Sequence, residues 1–200
     1  MELVENWLDP NGIELFLYRD SFVSKQNYTN PNGLSNRRLA ENQRIRFVKD
    51  SKYPNYKLEK DKFGKPFLFP RNTEINYSHT KDLIFWGEHP NTPIGVDIEY
   101  IRPKIADIYS KFVNTVELDQ IQKDDLKMLT KIWSAKEAIF KAYGAKEVDF
   151  KKDIILFDIG NNASSTIRAK FNKTDEIHLE VFCKWIDDFI MTSVVWNTQN

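Results

Sequence analysis

The sequence predicts an α+β protein of two similar subdomains related by a pseudo-twofold, each a mainly antiparallel sheet with a packed helix. The order strand, helix, strands occurs twice, and we place the boundary between residues 1–92 and 93–200. Hydrophobic residues make up 41% of the 200 residues, enough for a sizeable core. Short connections rich in Asn, Asp and Gly favour antiparallel pairing of four C-terminal strands, predicted at 154–157, 166–171, 177–185 and 189–196.

The composition argues against several classes of protein. The 29 basic residues balance 29 acidic residues, which disfavours a nucleic-acid binder that relies on a global positive field. A single cysteine, Cys183, excludes an internal disulfide and a multi-cysteine zinc site, and it fits a reducing cytosol. The sequence contains no long apolar run of the kind that predicts a signal peptide or a membrane span. We therefore expect a cytoplasmic monomer without a membrane or nucleic-acid partner.

The first half opens with alternating residues at 13–18 that predict a strand. A loop rich in Asn is expected at 24–34. Ser35 fits the N-cap of a helix that we expect to run to about Val48, and a further strand is predicted at 83–86. These elements give the first subdomain its order of strand, helix and strand.

The segment from Gly33 to Arg71 is strongly basic. It holds eleven Lys and Arg residues against four acidic residues, an excess of seven positive charges. Such an excess predicts either a contact with an anion or an ordinary solvated helix face.

Two polar segments of the first half could contact such an anion. Gly64 and Pro66 constrain the backbone on both sides of Lys65. Ser78 and His79 are neighbours in a second segment, which could serve hydrolysis, donate to phosphate oxygens or form a polar turn between strands. Neighbours in sequence seldom have the geometry that general-base activation of a serine requires, so hydrolysis is the weaker interpretation.

A strand predicted at 93–99 carries two carboxylates on one face. Strand alternation places Asp97 and Glu99 on the same side, about 7 Å apart, with Gly95 leaving space beside them. Like charges at this distance need a cation or a proton unless they extend into water. The pair therefore predicts a cation site, or else an ordinary exposed strand face.

The long helix of the second half is predicted to begin near Asp124-Asp125, since acidic side chains suit a helix N-terminus, and to stop at Gly144. Glu137 and Lys141 lie four residues apart and share one helix surface. A separate apolar stripe at helical spacing predicts the core face: Ile132, Ala135, Ile139 and Ala142. The helix thus has a core face and a chemical face.

Glu137 would complete a trio of carboxylates with Asp97 and Glu99 if the helix covers the strand. Three oxygen ligands without His or Cys favour Mg²⁺ over zinc. Magnesium held by a few carboxylates usually completes its shell with water and substrate phosphate. Together with the basic segment, these residues predict Mg²⁺-dependent chemistry on a phosphate or pyrophosphate substrate that they do not identify further.

Two motifs resemble the paired signature of the 4′-phosphopantetheinyl transferases. The first is Gly-Val-Asp-Ile-Glu at 95–99, and the second, which starts 33 residues further on, is Ile-Trp-Ser-Ala-Lys-Glu-Ala-Ile-Phe-Lys-Ala-Tyr-Gly at 132–144. Residues 64–66 and 76–80 resemble two further motifs of the larger, pseudo-dimeric surfactin-synthetase type. The chain length also resembles that type rather than the shorter trimeric holo-acyl-carrier-protein synthases.

The resemblance implies a holo-acyl-carrier-protein synthase that works in the cleft between the subdomains. Such an enzyme transfers the 4′-phosphopantetheine arm of coenzyme A (CoA) to a serine of an apo acyl or peptidyl carrier protein and releases adenosine 3′,5′-bisphosphate. The family pattern implies Mg²⁺ held by Asp97, Glu99 and Glu137. It also implies catalysis by Lys141, with Glu117 or Glu137 as the base. The implied CoA contacts are Lys65, Ser78, His79, Arg37, Arg38 and Arg44.

Two other functions stay open on the sequence: a degenerate CoA-binding partner module and a Mg²⁺-dependent phosphohydrolase. The complete carboxylate trio and Lys141 count against the first, and nothing in the sequence positions a water molecule for the second. The carrier and its pathway, whether fatty-acid, polyketide or nonribosomal-peptide synthesis, also stay open.

Overall fold

The structure, a computed structural model, describes residues 1–20, 36–160, 165–173 and 175–197. The helices in these ranges are α1 (Asn36–Lys52), α2 (Ile105–Ile108), α3 (Thr115–Leu118) and α4 (Leu126–Tyr143), with a 3₁₀ turn at Tyr109–Lys111. The strands are β1 (Glu2–Leu8), β2 (Glu14–Arg19), β3 (Lys57–Lys60), β4 (Pro66–Phe69), β5 (Glu74–Thr80), β6 (Leu83–His89), β7 (Ile94–Tyr100), β8 (Ile154–Phe157), β9 (Thr166–Phe171), β10 (Ile177–Ile186) and β11 (Phe189–Val195).

The strands form two larger sheets and one hairpin. The first sheet has the order β1-β2-β6-β5, the second has the order β7-β11-β10-β9-β8, and β3 pairs with β4. Each of these neighbouring pairs is antiparallel. The predicted α+β class is therefore confirmed. The change from the first sheet to the second falls between His89 and Ile94, beside the predicted boundary, although the division into two related subdomains stays a prediction.

The two sheets share buried side chains. Leu15 and Phe85 of the first sheet belong to the same buried cluster as Val96 and Ile98 of β7. Burying these side chains in common removes apolar surface of both sheets from water, which stabilises their contact. The strand β7 is therefore held in the centre of the molecule.

Helix α4 packs against β7. The predicted apolar stripe is buried, and the Cβ of any other residue at Gly95 would lie 1.9 Å from the carbonyl oxygen of Ala138. Only glycine permits this approach, so Gly95 brings the helix onto the strand face that carries the carboxylates. Both predicted ends of α4 are confirmed: the Asp125 side chain accepts a bond from the first turn, and Gly144 is left-handed with φ +71°.

The sequence did not predict β1, β3, β4 or β5. Strand β1 lies at the edge of the first sheet and pairs with β2 on one side only. Because Leu3 and Leu8 are exposed there, its sequence lacks the clear alternation of apolar and polar residues that marks a strand. Strand β5 occupies residues described above as a possible polar turn. Its polar side chains are buried because β5 lies beside β7, where Asn76 Oδ1 accepts a bond of 3.4 Å from the backbone N–H of Val96.

Helix α1 extends the predicted helix to Lys52. Its predicted N-cap, Ser35, and the predicted loop at 24–34 lie outside the described residues. None of the helices within the described ranges has both the length and the apolar character needed to cross a membrane.

Candidate active site

The chemical face of α4 meets β5 and β7 at one pocket. Three elements that are far apart in sequence line it with polar and charged side chains: Tyr77, Ser78 and His79 from β5, Asp97 and Glu99 from β7, and Glu137 and Lys141 from α4. Six of these seven residues, all except Tyr77, are predicted site residues. The pocket therefore brings together residues from three segments that the sequence connected only by the chemistry of their side chains.

Asp97 is the most enclosed carboxylate of the pocket. Its Oδ1 accepts bonds from Lys141 Nζ at 2.7 Å and from Ser78 Oγ at 2.8 Å. Its Oδ2 is buried and has no hydrogen-bond partner. An unsatisfied buried carboxylate oxygen is costly, so Asp97 retains the capacity to bind a further cation or donor.

Glu99 is held in place by two donors. Trp133 Nε1 donates to Oε1 at 3.1 Å, and Arg102 Nη2 donates to Oε2 at 2.7 Å. Burial and the charge of Asp97 raise the pKa of Glu99, although Arg102 and Trp133 oppose this shift. The ring of Trp133 also contacts the rings of Phe112 and Phe150, so this residue both packs in the core and holds Glu99.

Glu137 faces the same pocket from α4. Burial raises its pKa to about 7, the charges of Asp97 and Glu99 add to this shift, and Lys141 opposes it. A carboxyl group with a pKa near neutrality exchanges its proton readily at physiological pH. Glu137 is thus the carboxylate of the trio best suited to accept a proton.

The predicted metal ligands fit a hard cation in their chemistry. All are oxygen donors, Asp97 Oδ2 lacks a partner, and mutual repulsion contributes to the raised pKa values of Glu99 and Glu137. Within the described part of the chain, however, no group of three or more His, Cys, Asp or Glu side chains is placed to hold a metal ion. The ammonium of Lys141 is the cation that Asp97 contacts in this arrangement.

The structure places Glu117, a predicted catalytic residue, in the core. Its side chain is fully buried, and its oxygens accept bonds from Lys136 Nζ and from the backbone N–H groups of Asn114 and Leu156. It does not line the carboxylate pocket. The contacts therefore make Glu117 a structural residue and leave Glu137 as the base candidate that faces the pocket.

Lys136 is a buried residue for which the sequence predicted no role. Its ammonium donates to Glu117 and to the carbonyl oxygens of Phe112, Phe150 and Ile154, at 2.7–2.9 Å. Burial lowers its pKa to about 8, while Glu117 opposes the shift. Helical spacing could have revealed this residue, since position 136 lies one turn from the buried positions 132 and 139.

Arg44 and His79 border a second, polar pocket that shares Glu99 with the first. Arg44 Nε donates to Asp20 Oδ2 at 2.8 Å, and its Nη1 donates to the carbonyl oxygen of Lys81 at 2.9 Å. The two predicted CoA contacts are therefore close to the carboxylate pocket, on its α1 side.

The remaining predicted CoA contacts are less closely connected with the carboxylates. Lys65 lines a neighbouring pocket, and its ammonium donates to the carbonyl oxygen of Ala142 at 2.8 Å. Arg38 is exposed on α1, and the side chain of Arg37 lies outside the described residues. A CoA-binding role for these three residues stays a prediction.

Three carboxylates beside a lysine, on an α+β scaffold, are chemically suited to a substrate that carries phosphate. The family model of the 4′-phosphopantetheinyl transferase superfamily matches residues 93–194, which is just over half of the chain and includes both β7 and α4. The chain therefore belongs to the 4′-phosphopantetheinyl transferase superfamily, whose members use CoA as donor. No curated protein matches the chain. The predicted family is confirmed, and the surfactin-synthetase type stays a prediction.

Proposed function

We propose that this protein transfers the 4′-phosphopantetheine arm of CoA to a serine hydroxyl of an acyl or peptidyl carrier protein and releases adenosine 3′,5′-bisphosphate. The observation that carries the proposal is the pocket shared by Asp97, Glu99, Glu137 and Lys141, within the segment that matches the family. These groups combine anionic oxygens for a cation with a cationic group for phosphate. We also infer the surfactin-synthetase type, with subdomains at 1–92 and 93–200 related by a pseudo-twofold, acting as a cytoplasmic monomer.

In this reaction the serine oxygen bonds to the phosphorus that carries the pantetheine arm. The bond from this phosphorus to the bridging oxygen breaks, and the electron pair leaves with adenosine 3′,5′-bisphosphate. The serine proton passes to a carboxylate oxygen of Glu137, the base candidate that lines the pocket. Lys141 offsets the negative charge on the leaving phosphate.

Asp97, Glu99 and Glu137 would hold Mg²⁺, which when bound supplies Lewis acidity and orients the pyrophosphate. Trp133 and Arg102 keep Glu99 in one orientation through bonds to its two oxygens. Ser78 orients Asp97 through its hydroxyl group. His79 contributes a further donor to CoA phosphate at the edge of the pocket.

The test is incubation of the protein with CoA, Mg²⁺ and a panel of apo carrier proteins, followed by mass spectrometry of each carrier. We expect at least one carrier to gain the mass of the phosphopantetheine arm, and we expect Glu137→Gln to abolish this gain while preserving the fold. CoA binding without any transfer would instead support a degenerate binding module. Release of phosphopantetheine to water without carrier modification would support a phosphohydrolase.

A further inference from the structure

The side chain of Lys65 connects parts of the chain that are distant in sequence. Lys65 belongs to the turn between β3 and β4, yet its ammonium donates to the carbonyl oxygen of Ala142 in the last turn of α4. The carbonyls of a last helical turn lack partners within the helix, and the helix dipole makes this end attractive to a cation. The ammonium therefore caps α4 from outside.

The turn that carries Lys65 is fixed independently of α4. Asp61 Oδ1 accepts bonds from the backbone N–H groups of Phe63 at 2.8 Å and Lys65 at 2.9 Å. The backbone N–H of Asp61 donates to the carbonyl oxygen of Lys65 at 3.0 Å, and Gly64 has φ +95°. Because the turn is closed by its own bonds, anchoring one side chain anchors the whole turn.

Gly144 leaves the space through which the Lys65 side chain reaches Ala142. A Cβ at residue 144 would lie 2.6 Å from Cδ of Lys65, a contact too short for either group to keep its position. Gly144 thus serves two purposes: it adopts the left-handed conformation that ends α4, and it leaves room for the lysine stem. Burial lowers the pKa of Lys65, as expected for a stem enclosed in this way.

The anchored turn forms one wall of a pocket beside the carboxylates. Phe63, Gly64 and Pro66 face Phe140 and Lys141 across it. Tyr77 and Lys141 also line the carboxylate pocket, so the two pockets are neighbours that share these side chains. The position of the turn therefore sets the width of the space next to the reacting groups.

We propose that Lys65 is a positioning residue that fastens the β3–β4 turn to the C-terminus of α4 and thereby shapes the wall against which the donor substrate binds. This inference rests on the proposed function for the identity of that donor, CoA. It assigns Lys65 no direct contact with phosphate. The role is paired with Gly144, so a side chain at residue 144 should displace the lysine and have the same consequence.

The experiment compares Lys65→Met with Lys62→Met, an exposed lysine of the same turn. Hydrogen exchange measured by mass spectrometry should show protection in residues 61–66 and at the end of α4 falling on the order of tenfold in Lys65→Met only, since a bond to a charged group is lost. KM for CoA should rise on the order of tenfold with kcat within about threefold. Lys65→Arg, which keeps a cationic donor, should recover part of both losses.

Salt dependence separates positioning from direct contact with phosphate. A lost ion pair with phosphate would flatten the dependence of CoA affinity on ionic strength, whereas a lost anchor leaves the slope as in the native protein. Unchanged hydrogen exchange in Lys65→Met, or a flattened slope, would overturn the proposal. The exchange measurement needs no carrier and no turnover, so it tests the anchor even if the proposed transfer fails.

Gly144→Ala provides the second, independent variant. We expect it to lower protection of the turn as Lys65→Met does, and the double variant should lose little more than either single variant. Gly12→Ala is the matched control, since Gly12 also has a positive φ (+81°) but its added Cβ would lie 3.8 Å from the nearest side-chain atom, His89 Nε2, an ordinary van der Waals contact. Additive effects of the two changes at 65 and 144 would contradict the pairing.

Discussion

Replacing Lys141 by methionine removes the ammonium that contacts Asp97 and retains an apolar side chain of similar length. In the native protein Lys141 Nζ lies 2.7 Å from Asp97 Oδ1 and 3.0 Å from Ser78 Oγ. The variant leaves Asp97 beside the two other carboxylates of its pocket, Glu99 and Glu137, without this positive charge. We therefore expect the metal-free variant to be less stable than the native protein.

The size of the loss follows from burial. Removing one partner of a buried ion pair typically costs about 3–5 kcal/mol. The side chain of Asp97 is 4% exposed but that of Lys141 is 25% exposed, so solvent screens part of the interaction. We expect a loss of about 2–3 kcal/mol. For a chain of this size the loss lowers the unfolding midpoint by about 4–12 °C.

Thermal unfolding in EDTA and then in excess Mg²⁺ measures this loss. Mg²⁺ should raise the midpoint of Lys141→Met more than that of the native protein, because the ammonium no longer competes for Asp97. Lys152→Met is the control, since Lys152 is 82% exposed and lies 3.8 Å from Asp149, an ion pair worth at most about 1 kcal/mol. Equal midpoints in EDTA for the two variants would refute the reasoning, as would equal Mg²⁺ shifts for Lys141→Met and the native protein.

Three further predictions follow from the same structure. Lys136→Met should cost about 3–5 kcal/mol in urea unfolding because it leaves Glu117 buried without its cation, and a loss under 1 kcal/mol would contradict this. The pKa of Glu137 is raised from 4.5 to about 7, so the native protein should gain about 1–3 kcal/mol relative to Glu137→Gln as pH falls from 7 to 4.5 without metal; parallel pH profiles would contradict this. Gly95→Ala should cost about 3 kcal/mol or more, measured by thermal unfolding, because its Cβ overlaps the helix backbone; native stability would show that α4 shifts freely.

Much of the fold could be predicted because local patterns and packing agree. Helix α4 has an acidic N-cap, an apolar stripe and a glycine stop, and β7 alternates strictly, so each element carries its own signal. Strand β5 lacks such a signal, because Asn76, Ser78 and Thr80 are polar and yet buried. Their partners lie on β7, 19–20 residues away in the bonds formed by Ser78 and Asn76, and no local pattern records that distance.

The residues of the candidate site could be predicted from side-chain chemistry and periodicity, but the contacts that long side chains make with distant residues could not. Strand and helix periodicity predicted which way Asp97, Glu99, Glu137 and Lys141 point, and the structure places all four side chains at one pocket. The role of Lys65 depends on a contact with a residue 77 positions away, at the end of a long, flexible side chain. Periodicity carries no information about such a contact. The sequence therefore suggested a contact between Lys65 and phosphate on the basis of charge alone.

Helix α4 carries two lysines, and their surroundings determine how easily each ammonium can leave its present partners. Lys136 is fully buried, and its ammonium donates to three backbone carbonyls and Glu117, so displacing it would leave several buried acceptors unsatisfied. Lys141 is partly exposed, and Asp97 has a second oxygen without a partner. A cation that binds Asp97 can therefore take the place of the Lys141 ammonium there, and the freed ammonium can turn towards a phosphate. The same residue type is structural at one position and free to act in chemistry five residues later, because three backbone carbonyls and Glu117 enclose the ammonium of Lys136, whereas Lys141 is partly exposed and donates to one backbone carbonyl, that of Val96 at 3.3 Å.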